Sequence, residues 1–191
     1  AVEDDVYGEL QHGSARPLPL KAFDTEGRVL YCSSFSKCLA PGYRVGWALA
    51  GHHSHMVEKL KMMSSLTTSV PAQLALAEYL EEGGYDRHLR QLRKTLAQSL
   101  GQLRHCVLKH FPKGTRVSRP TGGYFLWVQL PKGIDTLHVY RAALARGISV
   151  APGAVFSADQ RFRSALRLNG GHPQDPRVPD AIKVLGQLMS A

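Results

Sequence analysis

"YCSSFSKCLAPGYRVGW", residues 31–47, decides how the rest of the chain is read. Its opening residues belong to a β-leaning run that predicts a strand over 29–33, and a serine-rich turn around Lys37 follows. After Pro41-Gly42 comes a second strand candidate over 43–50, in which Val45, Trp47 and Leu49 alternate. A lysine at the end of a strand, among small hydroxyl residues and seven before Arg44, suits a phosphorylated aldehyde. The amine condenses with the aldehyde, while the hydroxyls of Ser34 and Ser36 and the Arg44 guanidinium neutralise and orient the phosphate dianion. A nearby cation and partial burial would favour the uncharged amine that this condensation needs. By itself such a turn is a weak signal, because most lysines are solvated surface residues.

Two other features join it. Asp4 is followed three residues later by Tyr7. A carboxylate facing a pyridine nitrogen keeps it protonated and makes the ring an electron sink, and a tyrosine hydroxyl can bond the ring's phenolic oxygen. The plain alternative is a strand-end acidic cluster beside a packed tyrosine. Further on, Arg167 stands inside the apolar stretch Ala165-Leu166-Arg167-Leu168-Asn169. An arginine there must find an anion. A substrate carboxylate gripped by the guanidinium fork is one answer, and a structural ion pair with Asp or Glu is the other.

Outward from the lysine turn, helices are predicted over 53–64 and from about 69, with Pro71 in the first turn, to Gly83-Gly84. Tyr85, Leu89, Leu92, Leu96, Leu100, Leu103 and Val107 recur every three or four residues, which predicts one long amphipathic helix closed by Pro112 and Gly114. Strands are expected over 116–118, 124–130, 148–151 and 165–168. Asp135 is expected to cap a helix ending at Gly147, and a last helix to cover about 179–189. Gly122-Gly123 reads as a tight turn rather than a phosphate loop, since no helix start follows. Trp47 and Trp127 are expected in the core, Arg146 at a helix end, and His172 near Arg167. The class is α/β in the first part and α+β in the second, with the boundary near Gly83-Gly84.

Composition bounds the partners. The 191 residues are 43% hydrophobic and 20% charged, and no apolar run is long enough to span a bilayer. Three cysteines, Cys32, Cys38 and Cys106, sit in no ligand pattern and read as reduced thiols of a cytosolic protein. The His52, His53 and His55 cluster lacks metal-ligand spacing. A net charge of +9 permits an anionic partner without choosing one.

Taken together and in this order, "VEDDVYGEL" (2–10), "YCSSFSKCLAPGYRVGW" (31–47), "PTGGYFLWVQLP" (120–131), "ISVAPGAVFS" (148–157) and "LRLNGGHP" (166–173) resemble class I/II aminotransferases of the pyridoxal-phosphate (PLP) fold type I. More narrowly, the chain resembles the aminotransferase-like domain of MocR-type regulators in the GntR family. The resemblance covers essentially the whole chain, and the Lys37 motif is its most specific part. It implies the C-terminal part of a PLP-binding large domain over 1–84 and a small α+β domain over 85–191. It implies pyridoxal 5'-phosphate bonded covalently to Lys37, with Asp4 at the pyridine nitrogen and Tyr7 at the ring oxygen. Ser34, Ser36 and Arg44 would line the phosphate site, Ser34 ranking first. Arg167 would bind the ligand's α-carboxylate, with Asn169 helping to orient it.

The chain opens at Ala1-Val2 and runs straight into Glu3-Asp4-Asp5, as the tail of a strand would, so a fragment is expected. In the family, the preceding part carries the rest of the phosphate cradle, an aromatic ring that stacks on PLP and an asparagine at the ring oxygen. By this reading the fragment alone binds PLP weakly or not at all. Three functions compete. The first is the effector domain of a MocR-type transcription factor, binding an amino acid or amine while DNA is held through a winged helix absent here. The second is a free-standing aminotransferase acting on amino acids and 2-oxo acids, and the third a domain that keeps the fold without the cofactor. The first is preferred because "SSFSKCLAPGYRVGW", "GGYDRHLRQLRKTL" and "FPKGTRVSRPTGGYFLWVQLP" resemble it most closely. A homodimer is implied by the resemblance only, and no membrane partner is expected.

Overall fold

Val2–Asp4 (β1), Leu30–Ser34 (β2) and Gly46–Leu49 (β3) form a three-stranded sheet in the order β1-β2-β3, in a computed structural model that describes residues 1–13, 15–173 and 175–190. The β1–β2 pair is parallel, with Asp4 opposite Cys32, and β3 returns antiparallel with Gly46 opposite Ser34. These strands belong to the first of two compact units, Ala1–Arg93 and Lys94–Ala191. The first unit continues through helices Ser54–Ser65 (α1) and Val70–Glu81 (α2) into the start of Gly84–His110 (α3). Pro71 sits in the first turn of α2, where a missing N–H costs nothing, and Gly83 ends that helix region at φ +71°. Short 3-10 turns over Gly8–Leu10, Leu20–Phe23, Pro41–Tyr43 and Gly51–His53 have no period that the sequence could display. Trp47, expected in a core, is 39% exposed because all four β3 residues are exposed.

The long loop between β1 and β2 is fastened by Asp24. Its carboxylate accepts the Lys21 ammonium at 2.9 Å and the N–H groups of Arg28 and Val29, each at 2.9 Å. The Lys21 contact, then the Val29 hydrogen bond, hold this carboxyl far below the ordinary carboxylate range. A depressed pKa stabilises the fold above the unfolded value of about 4 and loses that contribution as pH falls towards the folded value. Urea midpoints measured from pH 6 down to 3 should therefore fall more steeply for the parent chain than for Asp24→Ala. Parallel curves would show that the cluster contributes nothing.

In the second unit Arg116–Val117 (β4), Phe125–Gln129 (β5), Ala151–Pro152 (β6) and Ala165–Asn169 (β7) form an antiparallel sheet ordered β4-β5-β7-β6. Leu126 pairs with Leu168 and Val128 with Leu166, so alternation turns all four to one face. There they pack with Leu100, Leu103 and Val107 of α3, with Val139 and Ala143 of Thr136–Leu144 (α4), and with Ile182 and Leu185 of Arg177–Ser190 (α5). The opposite face carries Phe125, Trp127 and Arg167. Asp135 caps α4 as expected, accepting the Leu137 N–H at 2.9 Å. The strand expected over 148–151 is reduced to Ala151–Pro152. The Ile148 N–H is taken by the Ala143 carbonyl at 3.0 Å to close α4, and Pro152 has no N–H to extend a ladder.

Candidate functional site

Because β1 and β2 are parallel, their C-terminal ends lie side by side, and this is the edge where α/β sheets gather ligands. The Asp5 N–H donates to Cys32 O at 2.8 Å and Ser33 Oγ to Asp5 O at 3.1 Å, tying the turn after Asp4 to the turn before Lys37. Asp4 Oδ1 accepts the Val6 N–H at 3.3 Å, which orients the carboxylate at the strand end, and Tyr7 is 38% exposed two residues beyond Asp5. On β2, Ser34 Oγ accepts the Ser36 N–H at 3.3 Å, and Arg44 Nη1 donates to Ser36 Oγ at 3.2 Å and to Pro41 O at 3.4 Å. Ser34, Ser36 and Arg44 are thus joined in one chain of contacts.

The backbone is bent to allow it. Arg44 adopts the left-handed conformation at φ 56° and ψ 37°, which costs an L-residue about 1–2 kcal/mol. Two residues later only glycine fits: a Cβ on Gly46 would lie 2.7 Å from the Ser33 carbonyl oxygen. Lys37 follows Ser36 directly and is exposed; its amine donates no hydrogen bond and joins no ion pair among the described residues. The partial burial expected for it is not supplied by these residues.

Behind Lys37 the turn is held by the first turns of α3. Cys38, 3% exposed, has its sulfur 3.2 Å from Tyr85 Oη, and its carbonyl oxygen lies 2.7 Å from His88 Nε2. Phe35 packs on Trp47 and edge-on to Tyr85, with ring centroids 5.0 and 5.8 Å apart. The other turn is held by ions. Arg16 pairs with both Asp5 and Glu9, Tyr31 Oη donates to Asp5 Oδ2 at 2.8 Å, and Arg93 donates to Glu9 Oε2 at 2.8 Å and to Glu9 O at 2.7 Å. These supports escaped sequence reasoning, since Glu9 and Arg93 lie 84 residues apart with no pattern to join them.

Burial pushes the Cys38 thiol above its ordinary pKa and pushes the Tyr85 hydroxyl well above its own. The thiolate is the reactive species, so Cys38 is expected to resist alkylation near pH 8 while the half-buried Cys32 and Cys106 react. Mass spectrometry after iodoacetamide treatment should show two labelled thiols in the folded chain and three in urea. Early labelling of Cys38 would show that the Tyr85 clamp opens readily.

A cleft of about 710 Å3 adjoins this turn, lined by Arg44, Ser65, Thr67, Thr68 and Ser69 among others. No carboxylate pairs with Arg44 among the described residues, and the lining beside it carries the hydroxyls of Ser65, Thr67, Thr68 and Ser69. That donor set fits a phosphate dianion, and a free lysine amine on the same turn fits an aldehyde beside it.

Arg167 and Asn169 belong to the second unit. The Arg167 guanidinium carbon lies 4.3 Å from the Phe125 ring centroid and 4.7 Å from that of Phe156. It has no ion pair among the described residues, so the structural Asp or Glu partner considered from sequence does not appear there. The rings hold the guanidinium by cation–π contact, and its N–H fork matches the geometry a carboxylate accepts. Asn169 Oδ1 accepts the Gly171 N–H at 2.8 Å and thereby serves the turn that follows β7. Arg167, Asn169 and His172 line one cleft of about 510 Å3. Trp127 stands half-buried beside them, edge-on to Phe156 and Phe162. Among the described residues no three His, Cys, Asp or Glu side chains converge as a metal site. No helix among them is long and apolar enough to cross a membrane.

A family model described as aminotransferase class I and II matches residues 1–177. The HTH-type transcriptional regulator YdcR of Escherichia coli is 44% identical over 188 residues, covering 98% of this chain and 40% of YdcR. Aromatic-amino-acid aminotransferase 1 of Thermococcus litoralis is 34% identical over 189 residues, covering 97% of this chain and 45% of that enzyme. Among solved structures, LysN, the alpha-aminoadipate aminotransferase of Thermus thermophilus complexed with N-(5'-phosphopyridoxyl)-L-leucine, superposes with a TM-score of 0.91 at 32% identity. That match covers 99% of this chain and 49% of LysN. The chain spans less than half the length of each of these three relatives.

Proposed function

Because the chain belongs to the aminotransferase class I and II family, we propose that it is the aminotransferase-like effector domain of a MocR/GntR-type transcriptional regulator, with pyridoxal phosphate as its cofactor. The observation that carries the regulator reading is the 44% identity to YdcR, kept over nearly the whole chain. Ser34, Ser36 and Arg44 hold the phosphate, Lys37 presents the amine to the aldehyde, Asp4 keeps the pyridine nitrogen protonated, and Tyr7 bonds the ring oxygen. When bound, the cofactor supplies an electron sink for charge developing at the α-carbon of an amino acid. Arg167 grips the α-carboxylate of that ligand through its guanidinium fork, and Lys37 is the residue able to carry the proton between α-carbon and cofactor. The protein works in the cytoplasm as a homodimer and reads its DNA target through a region outside these residues.

A free-standing aminotransferase is the second reading, favoured by the 34% identity to the Thermococcus enzyme. The two separate in one experiment on the chain expressed with any sequence that precedes it in its gene. Amino acids that shift the visible spectrum of the PLP-loaded protein and also change its retardation of promoter DNA support the regulator. Sustained turnover with 2-oxo acids, with DNA binding unchanged, would replace it by the enzyme. In the same assay Arg167→Lys keeps the charge but loses the fork. It should weaken the response to amino acids by about tenfold while leaving the corresponding decarboxylated amines nearly unaffected.

A further inference from the structure

The charge of the chain is divided unevenly between its two units. Residues 1–93 carry ten Lys and Arg against eleven Asp and Glu, whereas residues 94–191 carry fourteen against four and contain no glutamate. The net +9 is therefore a balance of −1 in the first unit and +10 in the second. Of the fourteen cations only Arg161, Arg163 and Arg177 take part in ion pairs among the described residues.

Six of them gather at one end of the four-stranded sheet. Arg116 opens β4 opposite Gln129, the last residue of β5. The turn holding Lys113 and Gly114 lies against Pro131, whose Cγ would be 3.6 Å from a Cβ on Gly114, and Lys132 follows Pro131 directly. Leu130 N–H donates to Ser164 O at 2.8 Å and Thr136 N–H to Arg163 O at 2.9 Å, which brings Arg161 and Arg163 to the same edge. Lys109 stands in the last turn of α3, four residues before Lys113. All six side chains are exposed, and the carboxylates among them are Asp135 and Asp159, already paired with Arg163 and Arg161.

We propose that this basic end of the second unit docks the phosphate backbone of double-stranded nucleic acid. Like charges held this close repel one another in the free protein, and a polyanion relieves that repulsion while releasing its own condensed counterions. A membrane-surface site would need apolar side chains free to insert. The aromatic ring within this cluster, Phe162, is 37% exposed but packs edge-on against Trp127 at 5.4 Å, and the six cations around it outnumber it. Lys109 lies in the last turn of α3 and the other five stand on turns or at a strand end, so the cluster sets no row of helical side chains into a groove, and its contacts are to phosphates and indifferent to sequence. The proposal goes beyond the Lys37 reading and does not depend on it, since the surface shares no residue with the candidate cofactor site.

The test is fluorescence anisotropy of the whole chain with a labelled duplex of arbitrary sequence, titrated at several potassium chloride concentrations. Lys109, Lys113, Arg116 and Lys132 have no ion-pair partner among the described residues, so about four phosphates should be neutralised, giving a slope of log K against log salt of about −4. Charge reversal of these four (K109E, K113E, R116E, K132E) should lower affinity more than tenfold at low salt and flatten the slope. The matched reversal K94E, R141E, R146E, K183E should change it by less than about threefold, with circular dichroism confirming that both variants fold. Equal losses in the two variants would overturn the proposal, leaving net charge alone as the cause. So would absence of duplex binding, or stronger binding to anionic vesicles or polyglutamate than to the duplex. Because no step involves PLP, a failure here leaves the cofactor reading standing, and the reverse holds too.

Discussion

In the chain expressed with any sequence that precedes it in its gene, Lys37→Ala is expected to abolish covalent retention of pyridoxal phosphate and the visible absorbance that accompanies it. The turn offers the cofactor two kinds of grip. Ser34, Ser36 and Arg44 are donors to a phosphate, and they remain in the variant. The amine alone can bond the aldehyde, and no other lysine lies on this turn. Phosphate contacts should therefore survive as reversible binding, while borohydride treatment should fix label to the parent protein and none to the variant. Any conversion of the cofactor by amino acids should fall about 10²- to 10⁴-fold, the usual worth of a positioned proton carrier. Lys37→Arg keeps the positive charge without a condensing amine and should behave like Lys37→Ala. If either variant still carries borohydride-fixed cofactor at the parental level, another amine is responsible and the assignment of Lys37 is wrong.

The largest effect on stability is expected at Gly186 in α5, and its sign runs against helix propensity. Replacing an interior helical glycine with alanine ordinarily stabilises a helix by about 1 kcal/mol. At Gly186, however, the new Cβ would stand 2.1 Å from the carbonyl oxygen of His110, the last residue of α3. That atom is backbone at a helix end, so one helix must move against the other within a core built from both. Such overpacking costs about 3 kcal/mol, which outweighs the propensity gain and leaves a net loss of about 2 kcal/mol. Gly101 of α3 is the control, because nothing lies within 4 Å of its added Cβ. Gly101→Ala should stabilise by about 0.5–1 kcal/mol. Urea denaturation should move the two midpoints in opposite directions. Similar midpoints would mean that α5 shifts freely over the end of α3.

Periodicity made much of the fold legible in advance. The 3.6-residue spacing of Leu89, Leu96, Leu100, Leu103 and Val107 marked α3, and all five are buried. The strands expected over 124–130 and 165–168 stand there as β5 and β7, and Asp135 marked the start of α4. What the chain conceals are features set by atoms distant in sequence. Trp47 alternates as a core residue would, yet it meets Phe35 on a strand whose four residues all stay exposed. Ile148 carries the side chain of a strand residue, but its N–H is spent on closing a helix. At the candidate site, residue types and order made Ser34, Ser36, Lys37 and Arg44 conspicuous. The left-handed turn at Arg44 and the need for Gly46 are backbone facts that no side-chain pattern encodes. Phe125 and Phe156 likewise reach Arg167 from separate strands and loops, a meeting that only the folded sheet creates.

The opening turns of α3 touch both halves of the candidate site from a single rod: Tyr85 and His88 grasp the residue after Lys37, and Arg93 grasps Glu9 beyond Asp4 and Tyr7. A helix is stiff over two or three turns, so those attachments move as one. Any roll of its axis tugs the lysine segment and the aspartate segment together, and neither slackens alone. Fraying of residues 84–93 would therefore withdraw the helix from both segments in one event, leaving the aspartate side to the grip of Arg16 and Tyr31.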